Sequence, residues 1–158
     1  METTLEQLLE AWWTNHRINL YLIRHISPEG MESTLSTRGG RSVGRQFAHL
    51  HNQRVYHLEG RAADLAAGLT KFPSKKEPSK VELVRQLEAS AAGVATHLER
   101  CLTGEGKRRP LKKGVIATLG YFIAHESHHR GSILLTLKQC GHKLDQATQS
   151  AIWNWDRM

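Results

Sequence analysis

The chain has 158 residues, 39% of them hydrophobic, with a formal net charge of +7, ten histidines and two cysteines. This size and mixture predict one globular domain over residues 1–158, and no apolar run approaches the roughly 18 residues that mark a membrane span. Cys101 and Cys140 stand in no metal-binding spacing and read as reduced thiols, and the acidic start lacks a secretory pattern, so a cytoplasmic location is expected.

Leu5, Leu8, Leu9, Trp12, Trp13, Ile18, Leu22 and Ile26 recur at helical spacing and predict a first helix from about Thr4 to Ile26. Thr3 or Thr4 can cap it, and Ser27-Pro28-Glu29-Gly30 stops it. Met31 to Arg41 reads as a connection broken by Gly39-Gly40. A second helix is expected from a Ser42 cap to about Leu69, through Val43, Phe47, Leu50, Val55, Leu58, Ala62 and Leu65. Pro73 and Pro78 make Lys71 to Lys80 a loop. Ser79 and Glu82 then form a capping box, each side chain closing a free backbone N–H of the other, and open a third helix to about Leu102. After a basic loop, a fourth helix spans about Val115 to Cys140, with Gly141 at the position after its cap. Ala147 to Trp155 form a turn or two more. The sum is all-α: a four-helix bundle with a short C-terminal helical tail. The first interhelical connection is long enough to admit a crossover topology.

The positive charge is densest in Lys107-Arg108-Arg109-Pro110-Leu111-Lys112-Lys113, with Lys75-Lys76 as a lesser patch. No aromatic residue interleaves with the run, as stacking on single strands would require. It reads as solvated loop charge, and a nucleic-acid-binding module is an alternative that salt-dependent binding would reveal.

Chemistry concentrates in the histidines. His125 and His129 are four apart in His125-Glu126-Ser127-His128-His129-Arg130-Gly131, so on a helix they share a face and can hold one divalent ion. His128 could replace His129 by spacing. A third ligand would come from elsewhere, and His49, His51 and His57 form a second cluster. On a helical wheel His51 lies with Phe47, Leu58 and Leu65, whereas His49 points away from that stripe. On the fourth helix His129 falls with Val115, Leu119, Phe122, Ile133 and Leu137. Glu126 and Glu59 are the nearest carboxylates, and both read as surface groups. Trp12, Trp13, Trp153 and Trp155 read as packing residues that could also line a pocket.

Three segments together resemble the DinB-like superfamily. Arg41-Ser42-Val43-Gly44-Arg45-Gln46-Phe47-Ala48-His49-Leu50 resembles its second-helix motif, His125 to Gly131 its H-x-x-x-H-R-G motif, and Ala151-Ile152-Trp153-Asn154-Trp155 its tryptophan-bearing end. The resemblance implies a four-helix bundle with a metal held by His49, His125 and His129, one ligand from the second helix and two from the fourth. It implies a metal-dependent enzyme in which the ion activates a small thiol, or water, against a small electrophilic substrate. Some relatives are transferases of this kind that use a low-molecular-weight thiol. Imidazole ligands suit zinc or nickel, with iron or copper compatible. A homodimer is expected, from the resemblance and from apolar residues on several sides of the first helix, such as Leu20, Leu22 and Ile23. The rival reading is a non-catalytic metal-binding stress protein stabilised by its ion.

Overall fold

A computed structural model describes residues 3–105 and 110–158. It is all-α: 71% helical, with no strand among the described residues and four long helices packed together. The long helices are α1 (Thr4–His25), α3 (Val43–Arg61), α5 (Lys80–Thr103) and α6 (Val115–Gln139). Short helices α2 (Pro28–Glu32), α4 (Ala63–Ala66) and α7 (Gln146–Ala151) and a 3-10 turn (Trp155–Arg157) are the other helical elements among the described residues.

The starts follow local chemistry. Thr3 with Glu6 and Ser79 with Glu82 form reciprocal capping boxes. Ser42 accepts the Arg45 N–H, and Asp145 accepts the Thr148 N–H at 2.7 Å. Gly141 takes a φ of 81°, the left-handed conformation that ends a helix without a Cβ penalty.

Two expectations need correction. Ser27-Pro28 does not only stop α1. The Ser27 hydroxyl accepts the Gly30 N–H with Pro28 at the first helical position, so the same residues open α2. The second helix does not reach Leu69. It breaks at Ala62, which is buried with extended φ, and the chain turns across α5. The turn depends on Gly93: a Cβ there would lie 2.9 Å from Leu58 Cδ1 and 3.4 Å from the Leu65 carbonyl.

Among the described residues the core has two apolar clusters. Ile18, Leu22, Phe47, Leu50, Leu83, Leu87, Ile133 and Leu137 belong to one, and Leu8, Trp12, Leu58, Val94, Leu98, Leu119 and Phe122 to the other. The order in which each helix visits them sets its direction. α1 and α6 run from the second cluster to the first, and α3 and α5 run the opposite way. The long first connection was expected to admit a crossover, but it joins antiparallel α1 and α3; the crossover lies between α3 and α5, where the chain returns from Ala66, in the second cluster, to Phe72, in the first. Helix α6 packs on both α1 and α3. Leu20, Leu22 and Ile23, on which the expectation of a homodimer drew, are all buried within the chain itself. No helix among the described residues is long and apolar enough to cross a membrane. Lys107, Arg108 and Arg109 of the basic run lie outside the described residues.

Candidate metal centre

Helix α6 presents distinct faces, set by its rotation between α1 and α3. Its inward stripe is Leu119, Phe122, Glu126, Arg130, Ile133 and Leu137, all buried. The periodicity reading placed His129 in this stripe. The structure puts Glu126 and Arg130 there instead, with His125 and His129 half-buried on the flank towards α3. Glu126 is thus not the surface carboxylate its helical setting suggested, whereas Glu59 is one, paired with Lys71 at 2.6 Å.

Between the two apolar clusters, every long helix contributes polar residues to one buried layer. Arg54 on α3 grips Glu126 with both arms, Nε to Oε1 at 2.7 Å and Nη2 to Oε2 at 2.9 Å. Asn15 and Asn19 on α1 each donate to Oε2 at 2.7 Å. The third Arg54 nitrogen donates to the Leu87 carbonyl at 3.0 Å, and its guanidinium lies 4.7 Å from the centre of the Trp12 ring. Burial alone would raise the Glu126 carboxyl. The charge and hydrogen bonds of Arg54, with Arg130 and Asn19, outweigh it and hold the carboxyl below the usual range. His16, beside Arg54, is pushed down to about 3 by burial and by that guanidinium, so it is neutral. This layer was missed in the sequence. Its signal was the polar interruption of the stripes at Asn15, Asn19, Arg54 and Glu126.

The flank of α6 that faces α3 is different. His49, His125 and His129 come together there, with one ring nitrogen from each within 4.8 Å of the others. The ring of His129 lies 4.7 Å from those of both His49 and His125. Among the described residues none of the three rings makes a hydrogen bond. Burial, the Arg41 charge and His125 push His49 down to about 4. Burial and the neighbouring His49, His125 and His128 push His129 down to about 4 as well. His125 is lowered too, chiefly by burial. Three neutral imidazoles with free lone pairs at one point are the donor set that binds a divalent ion.

The remaining histidines do not join the group. His51 is fully buried in the core, its Nε2 against the Thr70 carbonyl at 3.0 Å. His51 thus points into the core, as the wheel suggests, and His49 is the α3 histidine whose ring lies beside the helical pair. His128 is exposed. His57 lies two turns along α3 from His49, against Tyr121, whose ring stacks on His125.

A profile of the DinB family matches residues 1–155. The chain belongs to the DinB family. Comparison with curated proteins and with solved structures found no match. For this DinB-family chain the match runs through all four long helices and the tryptophan-bearing end, and so covers each segment that carries the histidines.

Beside His49 lies a cavity of about 380 Å³, bordered by Gly39, Arg41, Arg45, Asn52 and Ser74. Arg45 is committed to structure, donating to the Ser74 carbonyl from Nε and Nη2 and to the Gly40 carbonyl from Nη1. Arg41 is exposed, and among the described residues its guanidinium makes no hydrogen bond. Cys101 lies against His97, and Cys140 against the Thr34 carbonyl at 3.7 Å. Both are only partly buried, and neither belongs to the three-histidine group.

Proposed function

We propose that the chain is a metal-dependent enzyme of the thiol-dependent transferase kind, with His49, His125 and His129 holding a divalent ion. The observation that carries this reading is the convergence of three neutral imidazoles whose rings take no hydrogen bond from the described residues. Zinc or nickel suits this set, and iron or copper is compatible. A bound ion would supply Lewis acidity, lowering the pKa of a thiol or water ligand so that a nucleophile exists at neutral pH.

The chain's own groups then have definite tasks. The buried Glu126–Arg54 pair and the two asparagines fix the rotation of α6, so that His125 and His129 face His49. The uncommitted Arg41 guanidinium stands at the mouth of the cavity next to His49 and suits an anionic group on the co-substrate, such as the carboxylate of a low-molecular-weight thiol. The small electrophile would approach in the same cavity.

Elemental analysis followed by a screen of thiols against electrophiles tests the reading. Thiol consumption that needs both the metal and the electrophile supports it, with Arg41→Ala raising KM for an anionic thiol while metal content holds. Metal-loaded protein that turns over no pair in the panel overturns it. A large drop in melting temperature on chelation, without turnover, would favour the metal-stabilised stress protein, since an ion here ties α3 to α6.

A further inference from the structure

The third face of α6, turned away from the histidines, looks towards α1 and the C-terminal tail. Here α6, α1 and the C-terminal tail enclose a cavity of about 190 Å³. Its walls are apolar on Ile18, Leu134, Trp153 and Trp155 and polar at Arg130 and Ser127. Trp153 is 80% exposed, although the tail around it is held by the buried Ile152. A large indole left in solvent at the lip of an apolar cavity lacks a packing partner.

Charge makes the cavity specific. The buried polar layer contains two guanidiniums, Arg54 and Arg130, and one carboxylate, Glu126. Arg54 occupies both oxygens of that carboxylate. Arg130 reaches only neutral acceptors, the Asn19 Oδ1 at 2.9 Å and the Ser127 Oγ at 2.7 Å. Among the described residues no carboxylate other than Glu126 acts on it. His16 is neutral and adds nothing. One positive charge is therefore left over on a residue that is 6% exposed and that lines the cavity. Burying a second guanidinium beside a carboxylate whose oxygens the first already holds is costly, and Arg has five N–H donors, of which two are engaged among the described residues.

We propose that this cavity binds a small organic carboxylate: the carboxylate meets Arg130 beside Ser127, and the apolar body packs against Leu134, Trp153 and Trp155. An apolar cavity of about 150 Å³ accepts a benzene ring. The body is therefore about one aromatic ring in size. The site stands apart from the three histidines and does not depend on their holding a metal.

Isothermal titration of the full chain with sodium benzoate tests this, with benzamide as the uncharged analogue and acetate as the anion without a body. A hydrogen-bonded charge pair should favour benzoate over benzamide by at least about tenfold, with acetate also weaker. Gly131 lines the same cavity, and a Cβ there meets nothing within 4 Å, so Gly131→Leu should fold, keep its metal content and lose benzoate binding. Should circular dichroism show that variant unfolded, Trp155→Ala must weaken benzoate instead. No heat from benzoate up to about 10 mM overturns the proposal. So does benzamide or acetate binding equally well, or benzoate affinity that a folded Gly131→Leu or Trp155→Ala leaves unchanged.

Discussion

Two faces of one helix, one residue apart, carry opposite chemistry. On the inward face of α6 the buried carboxylate of Glu126 has its oxygens covered by Arg54, Asn15 and Asn19. On the flank towards α3, His125 and His129 meet His49 with no hydrogen bond from the described residues. A buried polar group satisfied by its own chain is an element of structure. A cluster of lone pairs left unmatched is a place for a ligand. Proximity in sequence says nothing of the difference, since His125 adjoins Glu126 and His129 adjoins Arg130.

Breaking the satisfied face should have the largest effect. Glu126→Ala leaves the Arg54 guanidinium buried without its partner, and such losses cost about 3–5 kcal/mol. The urea midpoint of the variant measures it. An unchanged midpoint would show that the layer is wet or rearranged, and the contrast would fail.

Breaking the other face should spare the fold and remove the ion. His49→Ala, His125→Ala and His129→Ala should each weaken metal binding by more than the roughly 100-fold that loss of a supporting group produces. Elemental analysis alongside circular dichroism reads both halves of this expectation. His57→Ala and His128→Ala should keep their metal. His51→Ala should keep it too while losing about 2 kcal/mol of stability, because that ring fills the core. Metal lost from His51→Ala and kept by His49→Ala would reverse the assignment.

Acid separates the two faces through linkage. In the folded, metal-free protein His49 and His129 stay neutral to about pH 4, while in the unfolded chain they take protons near 6.5. Between those values the unfolded state binds more protons, so stability is full above about 6.5 and falls as pH falls towards 4. His16 extends the loss to about 3. Glu126, also depressed, adds its loss only at the acid end, below the ordinary carboxylate value. Urea midpoints across this range should flatten in the upper window for a His49→Gln/His129→Gln double variant and not for Glu126→Gln. Identical profiles would remove the distinction between the faces.

The smallest effect belongs to a carboxylate of the same type in a wet setting. Glu59 pairs with Lys71 at the surface, both side chains nearly half exposed. Glu59→Gln should change stability by less than about 1 kcal/mol, less still in added salt. Thermal melts at two salt concentrations check it.

Much of this protein was decided locally. The capping boxes at Thr3–Glu6 and Ser79–Glu82, the Ser42 cap and the Gly141 stop are short-range devices, so the starts of three long helices and the end of α6 could be read from a few residues. The i,i+4 spacing of His125 and His129 is likewise a property of any helix. The break at Ala62 was not local. It follows from the close approach of Leu65 to Gly93, residues that meet only once α3 and α5 lie parallel. Nor could the stripe of α6 separate Glu126 and Arg130 from His129, because one residue rotates a helix by about 100° and a polar residue scores alike whether buried or solvated. Which of them turns inward depends on Arg54, Asn15 and Asn19, on two other helices, being there to meet it. Local chemistry along the chain set the helices and supplied the histidines. The packing of α6 between α1 and α3 decided which polar groups hold the fold and which are left open to a ligand.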